Sequence, residues 1–147
     1  MFFDYLESPI GILKITADDN YVHTIEETKS IGRINSNEVI KKMKQELTDY
    51  FDGKTIDFKT PIRLIGSEFQ KSVWKALQTV PYGKTASYKD IAIKINNEKS
   101  SRAVGNANNK NKLLIVVPCH RIIGSNSKLV GFRLGLEAKQ YLLDLEK

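Results

Sequence analysis

One tetrapeptide places the chain's only cysteine beside a histidine and an arginine. It reads Pro118-Cys119-His120-Arg121 and follows the apolar run Leu113 to Val117. A thiol attacks as the thiolate, and nearby positive charge or a proton-accepting imidazole favours that form. The pattern therefore predicts a nucleophile at Cys119. The alternative is a cysteine that only fills space in the core, as many free cysteines do.

The apolar run predicts a buried strand that leads into the cysteine. Along an extended chain successive side chains point to opposite faces, so His120 would not reach Cys119 directly. A kink at Pro118 or a bridging water would have to connect the two side chains. We therefore expect an intermediary between the thiol and the imidazole.

Composition limits the class of protein. The 147 residues suffice for one compact domain or two small ones. A single cysteine excludes an internal disulfide and suits a reducing compartment. One cysteine and two histidines make a protein-built metal site improbable on composition, and no cofactor is expected. The chain shows neither a signal peptide pattern nor an apolar segment of spanning length, so we predict a cytoplasmic protein without a membrane partner.

The positive charge belongs to the second part of the chain. The net charge is +6 overall, yet residues 1–60 carry 8 basic and 11 acidic side chains, whereas residues 61–147 carry 15 and 6. Such asymmetry favours a polyanionic partner, although lysines scattered over solvated helices give a similar sum.

The first part of the chain has the pattern of a small antiparallel meander. Strands are predicted at Phe2 to Glu7, Gly11 to Ala17 and Tyr21 to Ile25, with turn residues between them and a polar loop after them. Helical spacing begins at about Glu38 and stops at Gly53. His23 lies in the third predicted strand, and we interpret it as a packing or surface residue.

The second part begins with helix signals. A Ser67/Gln70 capping box opens a helix whose apolar stripe includes Trp74 as a core residue. Ser87 is a cap for a second helix, and Ser100 or Ser101 for a third from Arg102 to about Asn109. Two short helices joined by a polar turn predict a helix-turn-helix. The predicted core residues of this part are Val73, Trp74, Leu77, Ile91, Ile95, Val116, Leu142 and Leu143.

The third helix carries one arginine among small residues, from Ser101-Arg102-Ala103 to Asn109. A helix this smooth can approach a nucleic-acid groove closely and insert one cationic side chain where a base leaves. The equally open alternative is a small face that packs on a neighbouring element.

Together these segments resemble a known family. The ordered set Ser67-Glu68-Phe69-Gln70, Val80-Pro81-Tyr82-Gly83-Lys84-Thr85, Ser87-Tyr88, Arg102-Ala103-Val104-Gly105, Asn111 and Val117-Pro118-Cys119-His120-Arg121-Ile122-Ile123-Gly124 is similar to the methylated-DNA-protein-cysteine methyltransferases, or O6-alkylguanine-DNA alkyltransferases. The match extends from about Gly66 to Glu146. It implies direct repair of duplex DNA that bears alkylated guanine, by irreversible alkyl transfer after the nucleotide is flipped out. Alkylated thymine is a further possible substrate.

The resemblance also implies roles for individual residues. Cys119 matches the alkyl acceptor, and Arg102 matches the finger that fills the space the nucleotide leaves. Tyr88 matches the tyrosine that assists flipping and can protonate the departing purine. His120 and Glu146 match a histidine linked to the cysteine through water and the glutamate that orients it, although fraying is expected so near the chain end. Asn111 matches an asparagine that steadies the cysteine loop. The matched DNA-contacting residues are Ser101, Arg102, Ala103, Gly105 and Tyr88, and the matched lesion-pocket residues are Pro118, Phe132, Arg133 and Leu134.

Two departures from the family pattern fall on the pocket. Phe132 and Leu134 stand where the family often has a tyrosine and a small residue. We expect bulky adducts to fit poorly for this reason.

These observations predict an α/β protein. A small N-terminal antiparallel sheet with a helix, residues 1–62, is followed by a mainly helical domain, residues 63–147, with a winged helix-turn-helix and an active-site cysteine loop. We expect a monomer. A helix-turn-helix protein that binds DNA or senses lesions without alkyl transfer is the main alternative, and a cysteine hydrolase or redox enzyme is another.

Overall fold

In the computed structural model, which describes residues 1–54, 57–124, 132 and 134–147, the N-terminal segment is an antiparallel meander. Its strands β1 (Phe2–Ser8), β2 (Gly11–Ala17) and β3 (Val22–Thr28) lie side by side in that order. The predicted meander is confirmed. The third strand extends past its predicted end because Thr28 pairs with Ile12 on β2.

Helix α1 (Glu38–Phe51) completes the first unit, Met1–Leu64. It begins where the side chain of Asn37 accepts a hydrogen bond from the Ile40 amide at 3.0 Å. It ends before Gly53, whose φ of 86° is the left-handed conformation typical of a residue after a helix. One face of the helix and alternate positions of the sheet are fully buried and form the core of this unit: Leu13, Ile15, Ile25, Ile40, Met43, Leu47 and Tyr50.

His23 belongs to this first unit. It lies in β3, and its Nε2 is 2.8 Å from an Asp18 carboxylate oxygen. It therefore fixes a turn, in agreement with the prediction of a packing or surface residue.

The second unit, Ile65–Lys147, begins with helix α2 (Glu68–Leu77). The predicted capping box is present, with the Gln70 amide donating to Ser67 Oγ at 3.1 Å and the Ser67 amide donating to Gln70 Oε1 at 3.0 Å. Trp74 is 4% exposed, and its indole N–H donates to the Ala107 carbonyl at 2.9 Å. Its prediction as a core residue is confirmed.

Helices α3 (Tyr88–Lys94) and α4 (Ser101–Asn109) form the predicted helix-turn-helix, joined through a 3₁₀ turn, Glu98–Ser100. Ser87 caps α3 as predicted, since its Oγ accepts from the Asp90 amide at 3.0 Å. Ser100 is the N-cap residue of α4, as predicted, but the predicted capping bond from its side chain is wrong. Ser100 instead donates its hydroxyl to the Asn97 carbonyl at 2.6 Å, because the 3₁₀ turn leads directly into the helix and takes up that side chain.

The predicted strand over the apolar run before the cysteine is also wrong. Residues 114–116 form a turn and Val117 a bend; Ile115 has a φ of 72°, and the Val117 amide donates to the Leu113 carbonyl at 3.0 Å. The run is apolar because nearly all of it is buried. Burial gives a turn and a strand the same composition, so the pattern alone could not distinguish them.

The remaining elements surround the cysteine loop. Two short strands, β4 (Ala86–Ser87) and β5 (Ile122–Ile123), pair in parallel, and helix α5 (Leu136–Leu145) precedes the C-terminus. Among the described residues, no helix has the length and apolar character needed to cross a membrane.

The predicted core of the second unit is only partly confirmed. Five of its members are buried, namely Val73, Trp74, Leu77, Ile91 and Leu142. Ile95, Val116 and Leu143 are half-buried. Ile95 is the residue after α3, and Val116 lies in the turns before the cysteine, so each has a side open to solvent.

The bond from Trp74 to α4 predicts a stability effect. Trp74→Phe removes the indole N–H, leaves the buried Ala107 carbonyl with only the longer bond from the Lys110 amide among the described residues, and opens a small cavity. We expect a loss of about 2 kcal/mol in the free energy of unfolding. Urea unfolding followed by far-ultraviolet circular dichroism measures this, because the variant has no tryptophan left for fluorescence. A loss below about 0.5 kcal/mol, the usual range for surface changes, would contradict the assigned role.

Candidate active site

The thiol lies at a buried bend of the chain. Cys119 is 3% exposed and opens a 3₁₀ turn, Cys119–Arg121. The turn is closed by the Arg121 amide, which donates to the Pro118 carbonyl at 3.0 Å, and Pro118 is itself buried. Cys119 therefore has little surface in contact with solvent.

Asn111 holds the segment that carries the cysteine. Its side-chain nitrogen donates to the Val117 carbonyl at 2.8 Å, and its oxygen accepts from the Leu113 amide at 2.9 Å. Both ends of the turn segment before Cys119 are therefore tied to one buried amide group. The expected steadying position of Asn111 fits this geometry.

Glu146 is a buried hub rather than a frayed terminus. It is 3% exposed, and its carboxylate lies 2.6 Å from His120 Nε2 and accepts from Arg121 Nε at 2.8 Å and Arg121 Nη2 at 3.0 Å. The Gly83 amide is 3.3 Å from the same carboxylate. The expectation of fraying is wrong because these bonds secure the end of α5.

The partners of His120 define its protonation. Burial lowers the pKa of this fully buried imidazole below its ordinary value of 6.5, against the opposing effect of Glu146 and with help from Arg121 and Lys139. The ring is therefore neutral at neutral pH. A carboxylate can only accept, so Nε2 carries the ring proton and Nδ1 has the lone pair that can take another.

Arg121 is a functional residue whose role the sequence analysis missed. Besides its two bonds to Glu146, it donates from Nη1 to the Val80 carbonyl at 2.8 Å. Its guanidinium keeps the buried carboxylate ionised and joins the cysteine loop to the turn after α2. From the sequence, Arg121 was predicted only to supply a positive charge near the thiol, because its contacts are to residues distant in sequence.

Tyr88 lies near the thiol. Burial, with a contribution from the charge of Cys119, raises the pKa of the phenol above its usual value. The hydroxyl therefore keeps its proton at neutral pH and can act as a donor. The tyrosine ring packs against α4 at Gly105, where an added Cβ would lie 3.5 Å from the ring.

Lys139 was also missed. This α5 residue is fully buried, and burial lowers its pKa to about 8 while the charge of Cys119 opposes that shift. An ammonium near the sulfur favours thiolate. The sequence places Lys139 on the apolar face of a C-terminal helix, but this position alone does not distinguish it from an ordinary solvated lysine.

The other predicted residues occupy two regions. On α4, Arg102 and Ala103 are exposed, and Ser101 and Gly105 are half-buried. Phe132 and Leu134 are half-buried, whereas Arg133 lies outside the described residues. The contacts of the predicted lesion pocket therefore remain a prediction, and so does its poor fit to bulky adducts.

Comparison with known proteins identifies a family. The model described as 6-O-methylguanine DNA methyltransferase, DNA binding domain, matches residues 68–147. The methylated-DNA-protein-cysteine methyltransferase of Methanosarcina acetivorans is 42% identical over 99% of this chain and 98% of its own length. The inducible protein of that name from Bacillus subtilis is 52% identical over 69% of this chain and 57% of its own.

Solved structures have the same fold. Mycobacterium tuberculosis OGT, crystallised in complex with DNA, superimposes with a TM-score of 0.92 and 37% identity over all of this chain and 93% of the other. The M. tuberculosis O6-methylguanine methyltransferase gives a TM-score of 0.89 at 36% identity, over 99% and 92% of the two chains. The predicted α/β fold and the resemblance to the family are confirmed.

The Arg121–Glu146 pair predicts a large loss of stability on truncation. Arg121→Met leaves a buried carboxylate without its main cation and the Val80 carbonyl without a donor, so we expect about 3–5 kcal/mol of destabilisation. The matched control, Arg102→Met, changes an exposed arginine and should stay within about 0.5 kcal/mol of the wild type. Chemical denaturation of both variants measures the difference, and equal effects would contradict the assigned role of Arg121.

Proposed function

Because the chain belongs to the methylated-DNA-protein-cysteine methyltransferase family, we propose that it repairs O6-alkylguanine in double-stranded DNA by moving the alkyl group onto its own Cys119. The protein is a single-turnover enzyme that carries out direct repair. The observation that carries the assignment of the acceptor is the chain's single cysteine, buried beside a His120–Glu146 pair. Because the family transfers the alkyl group to a protein cysteine and this chain has one cysteine, Cys119 is the acceptor.

The transfer is a displacement at saturated carbon. The thiolate sulfur of Cys119 forms a bond to the alkyl carbon while the bond from that carbon to guanine O6 breaks. The electron pair passes to the purine, which takes up one proton and leaves as guanine. The resulting thioether has no easy hydrolytic exit, so each protein molecule acts once.

His120 and Glu146 are proposed to activate the thiol. The neutral imidazole holds its proton on Nε2 against the carboxylate and offers Nδ1 as the base, through a water to the Cys119 thiol. Tyr88 donates a proton to the departing purine, because its raised pKa keeps its hydroxyl protonated. Asn111 keeps the sulfur in place by holding the loop that carries it.

DNA binding is assigned to the domain of residues 63–147. Helix α4 presents the exposed Arg102 and Ala103 to the duplex, with Ser101 and Gly105 beside them. Arg102 fills the stack when the alkylated nucleotide flips into a pocket bounded by Pro118, Phe132, Arg133 and Leu134, and Tyr88 assists the flip. Residues 1–62 form a separate N-terminal domain. We propose that the protein acts as a cytoplasmic monomer.

The direct test is the mass of the protein after reaction. The protein is mixed with excess duplex DNA that carries one O6-methylguanine, and intact mass is followed by peptide mapping. We expect a gain of one methylene group, confined to the peptide with Cys119 and stopping at one per molecule. No change in mass while the damaged DNA remains bound would overturn the proposal in favour of a lesion-sensing protein.

Cys119→Ser separates transfer from binding. The variant should bind the damaged duplex and gain no mass, since a hydroxyl of this kind is not ionised at neutral pH. Its measured affinity, set beside that of the wild type, is the control for intact folding. Methyl transfer by the serine variant would exclude Cys119 as the acceptor.

The buried ammonium predicts a pH effect. Lys139→Met removes a positive charge near Cys119 and keeps the length of the side chain. The rate at which the Cys119 thiol is alkylated at neutral pH should therefore fall about tenfold. The gap should close above about pH 8, where Lys139 itself loses its proton and the thiol ionises in both proteins. Iodoacetamide alkylation rates across pH measure this, with the exposed Lys94→Met as control. Parallel profiles for the Lys139 variant and the wild type would remove the lysine from the mechanism.

A further inference from the structure

One buried side chain of helix α4 has no hydrogen-bond partner among the described residues. Asn108 is 2% exposed, and neither its amide oxygen nor its amide nitrogen is paired within that part of the chain. A buried amide without partners costs free energy that an apolar residue of the same shape would not cost. The residue is therefore either a stability defect or half of an interaction completed by another molecule.

The position of Asn108 favours the second reading. Residues three apart on a helix share a face, which puts Asn108 on the same face of α4 as Gly105. The Tyr88 ring packs on Gly105. The backbone N–H of Asn111 donates to the backbone carbonyl of Asn108 at 3.3 Å. The side chain of Asn111 donates to the Val117 carbonyl, close to Cys119 in the chain. The unpaired amide thus belongs to the helix face that the proposed proton donor covers, and its residue is bonded to the one that holds the loop carrying the sulfur.

The alkyl group of a lesion must enter this same region. The reacting carbon lies between the sulfur and the purine oxygen, and Tyr88 serves the purine side. Whatever the carbon carries must then fit among the side chains around Cys119, and it stays there after transfer because the thioether is permanent. A methyl group leaves the Asn108 amide unpaired, whereas a longer group with a hydroxyl can both donate to its oxygen and accept from its nitrogen.

We propose that Asn108 is a specificity-determining residue that favours transfer of alkyl groups carrying a hydroxyl, such as the 2-hydroxyethyl group, over apolar groups of the same size. The inference rests on the proposed function. In the reaction the Cys119 sulfur bonds to the first carbon of the hydroxyethyl chain, the bond from that carbon to O6 breaks, and guanine leaves with one proton. The hydroxyl takes no part in bond making and remains hydrogen-bonded to the amide.

The test compares two lesions that differ by one atom. Duplexes with O6-(2-hydroxyethyl)guanine and O6-propylguanine have alkyl chains of equal length that end in a hydroxyl and a methyl group. Single-turnover rates are measured for both with the wild type and with Asn108→Leu, which keeps the branched shape without the amide. Dividing one rate by the other within each protein removes any general change in activity.

The expected result is a ratio of hydroxyethyl to propyl rates about tenfold higher in the wild type than in the leucine variant, as for one hydrogen bond gained in the transition state. The variant should unfold at the same or a higher temperature than the wild type, because an unpaired polar group has been removed. Asn108→Met, which is unbranched, provides a second apolar variant if the first does not fold.

Other outcomes would overturn the inference. Equal ratios in the wild type and the variants would show that Asn108 does not contact the alkyl chain. A marked fall in the unfolding temperature with equal ratios would make the amide a structural group, completed by a buried water. Transfer from O6-methylguanine by the wild type is run alongside. If that transfer fails, the proposed function fails, and if it succeeds while the ratios stay equal, only the role of Asn108 fails.

Discussion

A single buried carboxylate, that of Glu146, determines how the cysteine loop is held and how it is charged. Burial disfavours an ionised carboxylate, and the two bonds from Arg121 and the one from the Gly83 amide offset that cost here. Because the group stays ionised, it accepts from His120 Nε2 and so fixes which ring nitrogen keeps the proton. Without the guanidinium the carboxylate would tend to take a proton, and the histidine would lose its defined tautomer. The network therefore holds the end of the chain in place and determines which nitrogen of His120 is available as the base.

Helix α4 is constrained on both sides. Its outer face carries Arg102 and Ala103 toward solvent, and its inner side is packed, with Ala107 accepting the bond from Trp74 and Gly105 beneath the Tyr88 ring. Under the proposed function, α4 cannot carry bulky residues on its outer face, which a duplex would approach. It cannot carry them on its inner face either, where the Tyr88 ring packs. The small residues that left two interpretations open in the sequence are thus explained by packing on one face, and are compatible with a groove on the other.

The sequence predicted those structural features that depend on residues close together in the chain. The meander, the capping boxes at Ser67 and Ser87 and the helix end at Gly53 depend on neighbours a few residues apart, and each was visible in the sequence. The Arg121 bonds to Val80 and Glu146 and the burial of Lys139 depend on contacts between distant segments, which no periodicity reports. The turns before Cys119 were mistaken for a strand because an apolar composition records burial and not backbone direction. The link between cysteine, histidine and glutamate came from the family resemblance, whereas spacing alone suggested only that an intermediary was needed.

The charges at the loop bear on the state of the thiol before and after repair. Arg121 and Lys139 bring two positive charges near Cys119, Glu146 brings one negative charge, and His120 is neutral. A thiolate balances this set, whereas a thiol leaves it with an excess positive charge in a region of low dielectric. The same balance is lost on alkylation, since a thioether has no charge. The group that can adjust is Lys139, because burial has already lowered its pKa to about 8 and the charge of the sulfur opposes that shift. Under the proposed function, loss of the thiolate removes this opposing effect and lowers the pKa of Lys139 further, so alkylation shifts the lysine that we propose activates the thiol toward its neutral form.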